Sequence, residues 1–363
     1  MQIGIIGLPT SGKTTIFNAL TRGHVQPATY SSGKFEVHTG VVDVPDERLY
    51  VLAKLFNPRK ITHAKVQYND VAGLAKGAGE KGGMEPAMLN LLGQSDALIC
   101  VTRVFDDPNV PHPEGSVNPQ RDLNTLQTEL LLADLMAVEK RLQRIREEAG
   151  KKGGAPQEKE ARARETALFE RMKAHLEAEQ PLNTLTLSEE EVKSVRGFGL
   201  LTIKPTMVIY NLGETQTAKP EWERRDGAHG TLYTSLRGKL EMEIAQMSLE
   251  DANAFLQEYG IAEPGLNRII HLSYDLLGLH SFLTTGEDEV RAWTIKKGAT
   301  ALEAAGVIHS DLARGFIRAE VVAYDELVKV GSLAEARRHG TLRLEGKTYV
   351  VQDGEIVHIK FNV

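Results

Sequence analysis

The sequence contains one cysteine, Cys100, among 363 residues, and this excludes a disulfide framework. Cys100 lies in the apolar run 97–101, so we expect a buried and unreactive thiol. The chain lacks any apolar run that approaches the roughly 20 residues of a membrane-spanning helix. Its first residues also lack the basic segment of a signal peptide. We therefore expect a cytoplasmic protein that has no membrane partner.

The chain also lacks a global excess of basic residues. It has 43 lysines and arginines against 49 acidic residues, a formal net charge of −6. This balance argues against a globally basic nucleic-acid binder, and we expect no sequence-specific DNA binding, although the total says nothing about local patches. The length exceeds that of one ordinary hydrophobic core, so two or three domains are expected.

What the sequence does contain is a phosphate-loop motif close to its amino terminus. Residues 7–14 read Gly-Leu-Pro-Thr-Ser-Gly-Lys-Thr, which fits the pattern Gly-x-x-x-x-Gly-Lys-Thr. A β-branched run, 3–6, precedes the motif, and an apolar run at helical spacing, 15–20, follows it. A chance match in a glycine-rich turn is the alternative, but this context of strand, loop and helix favours a phosphate site, because backbone N–H groups and a helix amino terminus then face the anion.

The motif assigns roles to its polar side chains. Lys13 is expected to reach the β- and γ-phosphates of a nucleotide and is a catalytic candidate, and the Thr14 hydroxyl is expected to ligate Mg²⁺. The predicted nucleotide-binding residues of this segment are Gly7, Leu8, Pro9, Thr10, Ser11, Gly12, Lys13, Thr14 and Thr15.

A second motif, Asp-x-x-Gly, ends the predicted strand 64–73. Asp70 at the end of a strand that faces the phosphate loop is placed to hold Mg²⁺ through a water, and the Gly73 N–H is placed to sense a γ-phosphate. The glycine-rich run 77–83 follows, which favours a switch loop. An ordinary β-turn is the alternative interpretation.

The next predicted element is a buried parallel strand over 98–105. It leads into the loop 106–113, which contains His112. Open α/β sheets hold their ligands at the carboxyl ends of strands, so this loop lies on the expected ligand side.

A change of pattern at Asp122 predicts two long helices. The first has a heptad-like apolar seam and extends over roughly 40 Å, the segment 150–156 breaks it, and a second helix covers 157–179. We interpret the pair as an antiparallel helical hairpin. The seam residues are Leu131, Leu135, Val138, Leu142 and Ile145 in the first helix, and Leu168, Met172 and Leu176 in the second.

The hairpin has an uneven charge. Residues 140–173 contain 11 lysines and arginines against 6 acidic residues. A solvated helix face and a nucleic-acid contact surface both fit this excess.

The α/β pattern resumes with a predicted strand at 204–210, so the hairpin is an insertion and the nucleotide domain is discontinuous. The predicted domains are a nucleotide domain formed by 1–121 and 197–283, the hairpin at 122–196, and a C-terminal unit at 284–363. Short strands predicted at 291–295, 316–322, 341–344, 349–351 and 356–361 indicate a β-grasp-type α+β fold for the last unit.

These motifs resemble the Obg-like ATPase family, in particular its YchF subfamily of P-loop, translation-factor-type NTPases. The resemblance extends over the whole chain. It rests on the phosphate loop, on Gly-Val-Val at 40–42, on the Asp-x-x-Gly motif, on the start of the first long helix at 129–135 and on the C-terminal sequence 282–363. It implies an α/β fold: a Ras-like P-loop NTPase domain, an inserted coiled-coil hairpin, and a C-terminal TGS-like domain that contacts RNA or the ribosome.

The resemblance also implies a preference for ATP over GTP. Ras-like GTPases bind guanine through the aspartate of Asn-Lys-x-Asp, whereas this chain has Asn211-Leu212-Gly213-Glu214 at the matching place. Asn211, Leu212 and Glu214 are therefore the expected base-binding residues. Arg237 and Gly238 occupy the place of the family's second base-binding loop, where Ser-Ala is usual.

Hydrolysis is expected to depend on His112. Leu74 follows Asp-x-x-Gly where Ras-like enzymes have a glutamine that orients the attacking water, and leucine cannot bind a water. The family assigns this task to a histidine after the next strand, and His112 matches it. A surface histidine between two prolines is the alternative.

The chain departs from the family in both switch segments. The usual Pro-Phe-x-Thr-Ile of switch I is absent between 27 and 35, so no threonine is assigned there as an Mg²⁺ ligand, and Thr29 and Thr39 stay open. Switch II is altered at 80–85. We interpret the chain as an Mg²⁺-dependent, ATP-preferring hydrolase that acts as a slow nucleotide-controlled switch on ribosomes or RNA. A GTP-specific translation-associated GTPase and a non-hydrolysing, nucleotide-gated RNA or ribosome adaptor are the alternatives.

Overall fold

The structure is a computed structural model that describes residues 1–25, 37–71, 85–150, 156–226, 230–259, 261 and 263–362. The chain divides into two compact units, 1–40 with 67–266 and 41–66 with 267–363. This division groups 41–66 and 267–283 with the C-terminal segment, whereas the domain boundaries inferred from the sequence group them with the nucleotide domain. Those boundaries, which follow function, stay a prediction.

The secondary structure alternates strands and helices through most of the chain. The described strands are β1 (Gln2–Ile6), β2 (Val37–Asp43), β3 (Lys60–Thr62), β4 (Lys65–Val71), β5 (Ala97–Arg103), β6 (Thr206–Asn211), β7 (Arg224–Arg225), β8 (Leu232–Leu236), β9 (Leu279–Thr284), β10 (Glu289–Lys296), β11 (Phe316–Val322), β12 (Arg343–Glu345) and β13 (Ile356–Phe361). The described α-helices are α1 (Lys13–Thr21), α2 (Glu47–Phe56), α3 (Pro86–Gln94), α4 (Pro119–Gly150), α5 (Pro156–Glu177), α6 (Glu189–Val195), α7 (Gly238–Gln246), α8 (Leu249–Glu258), α9 (Gly265–Leu276), α10 (Ala301–Ile308), α11 (Ser310–Arg314), α12 (Tyr324–Val330) and α13 (Leu333–Arg338).

A sheet of seven described strands, in the order β2-β4-β1-β5-β6-β8-β7, organises the nucleotide side of the chain. Strand β1 pairs in parallel with β4 and β5, and β6 pairs in parallel with β5 and β8. Every residue of β5 is buried, as expected for an apolar strand with parallel neighbours on both sides. The predicted strands before the phosphate loop, at 64–73 and at 98–105 are confirmed with slightly different ends.

The predicted helical hairpin is also confirmed, since α4 packs along α5. Val138, Leu142 and Ile145 of the predicted seam are buried, and Leu131 and Leu135 pack against the same cluster while partly exposed. The buried apolar residues of this cluster are Val138, Leu142, Leu168, Phe169, Met172, Leu176, Leu182, Val195 and Leu200.

A buried carboxylate, that of Asp134, fixes the segment that leads from the hairpin back to the sheet. Asp134 of α4 accepts hydrogen bonds from the backbone N–H groups of Leu201 and Thr202 at 2.7 Å each, and from the Thr202 hydroxyl at 2.6 Å. Because two backbone donors are satisfied in this way, the chain re-enters the sheet without unpaired buried N–H groups at this point.

The C-terminal unit contains a second sheet, with the described strands in the order β12-β11-β13-β9-β10-β3. The predicted strand at 349–351 is wrong: Val350 forms only an isolated antiparallel bridge with Thr300, because Thr300 is the N-cap of α10 and offers no continuing strand. Strands β9 and β3 join this sheet from segments that the sequence did not assign to it. Within the described residues, no helix is both long and apolar enough to cross a membrane.

Candidate nucleotide-binding site

The phosphate loop connects β1 to α1 through a backbone that strongly restricts its residues. Gly12 is the N-cap of α1 with φ 91°, and Thr10 has φ 62°, a left-handed conformation that is uncommon for a residue with a side chain. A Cβ atom on Gly7 would come within 2.6 Å of the Val101 carbonyl oxygen, and one on Gly12 within 2.1 Å of Asn211 Nδ2. Close packing thus requires glycine at position 7, and the left-handed backbone conformation requires it at position 12.

Lys13 is buried beneath this loop. Its side-chain nitrogen donates to the Leu8 carbonyl oxygen at 3.4 Å, and this uses one of the three donors of the ammonium group. Burial lowers the pKa of Lys13, and the nearby negative charge of Asp70 partly offsets that effect. A desolvated ammonium that donates to a single carbonyl among the described residues is suited to an anionic ligand such as a phosphate.

Thr14 and Asp70 meet as the sequence predicts for a cation site. The Thr14 hydroxyl donates to Asp70 Oδ2 at 2.7 Å, and Asp70 Oδ1 is buried with no hydrogen-bond partner among the described residues. Burial raises the pKa of Asp70, and the hydrogen bond from Thr14 and the charges of Lys13 and His38 only partly offset this rise. A hydroxyl and an unsatisfied carboxylate oxygen are ligand types that Mg²⁺ prefers, so the residues present fit this ion.

Few protein ligands are available to a metal here. The described residues contain no group of three or more His, Cys, Asp or Glu side chains that could hold a metal ion. Mg²⁺ in nucleotide sites typically takes one or two protein ligands and completes its shell with phosphates and water. Thr39, one of the open switch I candidates, donates its hydroxyl to Asn69 Oδ1 at 2.9 Å.

Asn211, at the end of β6, contacts the phosphate loop itself. Its Nδ2 donates to the Ser11 carbonyl oxygen at 3.1 Å, and its Oδ1 accepts from the Gly238 N–H at 3.1 Å. Asn211 therefore joins the phosphate loop to the start of α7. The neighbouring Leu212 is buried, and its N–H donates to the Leu236 carbonyl oxygen at 2.8 Å.

The other predicted base-binding side chains are engaged with protein partners. Glu214 Oε1 accepts from Lys239 Nζ at 2.7 Å, and both side chains are more than half exposed. Arg237 donates from Nε and Nη2 to the Gln216 carbonyl oxygen at 3.3 and 3.2 Å. One oxygen of the Glu214 carboxylate thus already accepts a hydrogen bond from the Lys239 ammonium.

His112 lies close to the phosphate loop. Its side chain is 5 % exposed, and a small cavity is lined by His112 together with Leu8, Pro9 and Ser11 of that loop. Its Nδ1 accepts from the Glu114 N–H at 3.1 Å, so its Nε2 carries the proton of the neutral ring and donates to Asp122 Oδ2 at 2.8 Å. His112 is therefore not the exposed surface histidine of the alternative interpretation.

Two residues at this site were missed by the sequence analysis. Arg103, the last residue of β5, is 2 % exposed and donates to the Thr10 hydroxyl oxygen of the phosphate loop at 3.3 Å. The Arg103 guanidinium lies over the Phe105 ring, 4.4 Å from the ring centroid. The sequence signal that could have identified Arg103 was a charged residue at the end of a largely apolar strand that was predicted to be buried.

The structure therefore brings together the phosphate loop, Asp70, Asn211, Gly238 and His112. Gly73, predicted to sense the γ-phosphate, lies outside the described residues, as does Thr29. The fold and this site define a P-loop nucleotide-binding protein with a nucleotide domain of the Ras-like type.

Comparison with known proteins is consistent with this class. A family model described as "50S ribosome-binding GTPase" matches residues 2–140, and one for the C-terminal domain of YchF-type GTPases, described as "Protein of unknown function (DUF933)", matches residues 279–362. The chain is 42 % identical to the ribosome-binding ATPase YchF of Bacillus subtilis over 370 residues, covering 100 % of both chains, and 39 % identical to that of Escherichia coli O157:H7, covering 100 % of this chain and 99 % of the relative.

A solved structure, that of the Schizosaccharomyces pombe YchF GTPase, is similar with a TM-score of 0.81 and 32 % identity, covering 99 % of this chain and 97 % of that one. The chain belongs to the YchF family. The predicted resemblance is thereby confirmed, as is the fold class of a Ras-like P-loop domain joined to a YchF C-terminal domain.

Proposed function

We propose that this protein is an Mg²⁺-dependent nucleoside triphosphatase that prefers ATP over GTP and acts in the cytoplasm as a slow nucleotide-controlled switch on the ribosome. The observation that carries the proposal is the contact between Thr14 and Asp70 beside the buried Lys13, which provides the cation-binding and phosphate-binding groups of a P-loop site. The relatives' names, "Ribosome-binding ATPase YchF", support both the reaction and the partner.

The chemistry follows from what each side chain offers. The Lys13 ammonium neutralises charge that develops on the β- and γ-phosphate oxygens, and the loop N–H groups orient the triphosphate. Thr14 would ligate Mg²⁺ directly and Asp70 through a water, and the ion, when bound, would neutralise charge on the β- and γ-phosphates. His112 would orient the attacking water. To do so, its Nε2–H must give up the hydrogen bond to Asp122 and donate to the water instead.

Nucleotide binding with and without Mg²⁺ tests the metal site. In wild type, we expect ATP to bind more weakly when Mg²⁺ is replaced by excess EDTA. In Asp70→Asn we expect the gain in ATP affinity that Mg²⁺ provides to shrink at least tenfold, while ATP affinity in EDTA stays within threefold of wild type. Asp96→Asn, which changes an exposed carboxylate just before β5, is the matched control. An unchanged gain in Asp70→Asn would remove Asp70 from the metal site.

The preference for ATP is supported by the ion pair between Glu214 and Lys239. A guanine needs a free carboxylate to accept from its N1–H and 2-amino group, and the Lys239 ammonium competes for that carboxylate at 2.7 Å. Equilibrium titration with labelled ATP and GTP tests this preference. Tighter GTP binding would favour the GTPase alternative, which fits the description of the S. pombe relative as a YchF GTPase.

Hydrolysis is tested by phosphate release under single-turnover conditions. We expect Lys13→Ala to abolish release and His112→Ala to slow it at least tenfold while ATP still binds. If His112→Ala releases phosphate at the wild-type rate, His112 does not orient the water. If wild type itself releases no phosphate, the protein is a nucleotide-gated adaptor and not a hydrolase.

Ribosome binding is proposed for the C-terminal unit and the hairpin. In the hairpin, nine lysines and arginines between 140 and 173 lie in the described residues, and five of these are paired with carboxylates: Arg141, Arg146, Arg164, Arg171 and Lys173. Co-sedimentation with ribosomes, with and without a non-hydrolysable ATP analogue, tests the proposal. Charge reversal of the exposed Lys140 and Arg144 should weaken pelleting if the long helices α4 and α5 contribute, with Lys193→Glu on α6, outside those two helices, as the control.

A further inference from the structure

Arg103 occupies an unusual position for a charged residue. It ends β5, a strand of seven buried residues, and is itself 2 % exposed. The guanidinium donates in three directions: from Nε to the Phe105 carbonyl oxygen at 3.1 Å, from Nη2 to the Val110 carbonyl oxygen at 2.8 Å, and from Nη1 to Thr10 Oγ1 at 3.3 Å.

Within the described part of the chain, the charge of Arg103 has no direct counter-ion. Of the described residues, none places a carboxylate within ion-pair distance of its guanidinium. Burial lowers the pKa of Arg103, and the negative charges of Asp106, Asp107 and Asp122 only partly offset that effect. Buried cations are normally paired because desolvation is costly, so an arginine kept here needs a compensating role.

The partners of Arg103 indicate that role. Thr10 belongs to the phosphate loop and has the left-handed φ of 62°, so an additional hydrogen bond helps to hold it in that conformation. Val110 lies two residues before His112 in the loop that follows β5. The guanidinium therefore spans the phosphate loop and the loop that carries His112.

We propose that Arg103 is a positioning residue that holds the His112 loop in register with the phosphate loop. The proposal rests on the proposed function, in which His112 orients the attacking water. Movement of Val110 relative to Thr10 would displace His112 from the phosphate end of the nucleotide, and a shift of about 1 Å at a catalytic group is enough to lower a rate by about two orders of magnitude.

Only the planar fork of arginine serves this geometry. Guanidinium presents five donors in fixed directions, whereas the lysine ammonium is a point charge on a flexible stem that reaches fewer of these acceptors at once. Arg103→Lys therefore preserves the charge behind the phosphate loop and removes the connection between the two loops.

The first experiment compares ATP affinity with the single-turnover rate. For Arg103→Lys we expect ATP binding within threefold of wild type and hydrolysis slowed at least tenfold. Thr10→Ala, which removes the acceptor, should slow hydrolysis, and Thr10→Ser, which keeps the hydroxyl, should restore the rate to within threefold. If Arg103→Lys does not fold, as judged by circular dichroism, the Thr10 pair decides. Equal rates for Thr10→Ala and Thr10→Ser, or an Arg103→Lys that weakens binding and rate to the same extent, would overturn the proposal.

The second experiment asks whether Arg103 acts through His112. In a His112→Ala background, adding Arg103→Lys should cause no further loss of rate, because the group that Arg103 positions is already gone. A further tenfold loss in the double variant would overturn the proposal, since Arg103 would then act independently of His112.

The third experiment does not depend on hydrolysis. Amide hydrogen exchange of the peptide 106–114, measured with a non-hydrolysable ATP analogue bound, should be at least tenfold faster in Arg103→Lys than in wild type. If His112→Ala hydrolyses ATP at the wild-type rate, the proposed role of His112 is wrong. If amide exchange in Arg103→Lys is unchanged, the proposed role of Arg103 is wrong.

Discussion

Asn211 donates a hydrogen bond from its Nδ2 to the carbonyl oxygen of Ser11 at 3.1 Å, across 200 residues of sequence. The Oδ1 of the same amide accepts from the Gly238 N–H at 3.1 Å. One side chain thus joins the phosphate loop, the end of β6 and the start of α7. The sequence indicated Asn211 as a base-binding residue, and the structure adds that it supports the loop on which the phosphates would lie.

Asn211→Ala is expected to weaken both folding and nucleotide binding. It leaves the Ser11 carbonyl and the Gly238 N–H without their partner in a buried setting, at a cost of about 2 kcal/mol in the free energy of unfolding. ATP affinity should fall about tenfold, because the phosphate loop is no longer held in place before binding. Chemical denaturation and calorimetric titration measure the two effects. Asn90→Ala, on the exposed side of α3, is the control and should change neither.

Asp134→Ala is expected to destabilise the return from the hairpin. The change removes the acceptor of two buried backbone N–H groups and one hydroxyl, and the expected loss is about 3 kcal/mol in the free energy of unfolding. Urea denaturation monitored by circular dichroism measures it. Glu147→Ala, an exposed change on the same helix, should stay within about 0.5 kcal/mol of wild type. Equal effects of the two substitutions would contradict a structural role for Asp134.

The interaction of Arg48 with Asp353 predicts a pH-dependent contribution to the stability of the C-terminal unit. Arg48 Nη1 lies 2.8 Å from Asp353 Oδ2, and the Ser281 N–H donates to Asp353 Oδ1 at 3.1 Å. Burial alone would raise the pKa of Asp353, but the hydrogen bonds from Arg48 and Ser281 outweigh it and lower the pKa. A carboxyl group with a lowered folded-state pKa stabilises the protein above its unfolded-state value and loses that contribution as the pH falls through the folded-state value.

Asp353→Asn should therefore cost more stability at pH 7 than at pH 3. Thermal unfolding of wild type and variant across this range measures the difference between them. Asp288→Asn is the matched control, because Asp288 and its partner Arg59 are both more than 80 % exposed and such pairs contribute little. A difference for Asp353→Asn that does not change with pH would contradict the interaction.

Cys100 should report on unfolding. Its side chain is buried in β5, and burial raises the pKa of the thiol to about 12. Since the thiolate is the reactive form, alkylation by iodoacetamide at pH 8.5 should be at least about 100-fold slower in the native protein than in 6 M guanidinium chloride. Rapid labelling of the native protein at one equivalent would show that β5 opens readily.

Local patterns in the sequence were sufficient for the main elements. The glycines and the flanking apolar runs of residues 7–14 predicted strand, loop and helix, and the heptad spacing around Val138 predicted the hairpin. Both patterns depend on neighbouring residues, whose conformational preferences and burial act over a few positions of the chain. The Asp-x-x-Gly motif likewise placed Asp70 beside Thr14, because parallel strands end at the same edge of a sheet.

Local patterns failed where the outcome depends on a distant partner. The apolar stretch at 349–351 has the composition of a strand, yet only Thr300 was available to pair with Val350. Strand β3 pairs with β10 although 227 residues separate Thr62 from Glu289. Nothing close to either segment in the sequence contains that information.

The sequence by itself determined the P-loop motif, in which the lysine is predicted to bind phosphate and the threonine to ligate a cation, because the motif consists of contiguous residues. The tertiary structure alone decided that Lys239 donates a hydrogen bond to Glu214 and that Asn211 supports the phosphate loop. It also decided that Arg103 donates to both Thr10 and Val110. These are contacts between segments up to 200 residues apart. Their geometry follows from strand order and packing, which no single stretch of the sequence specifies.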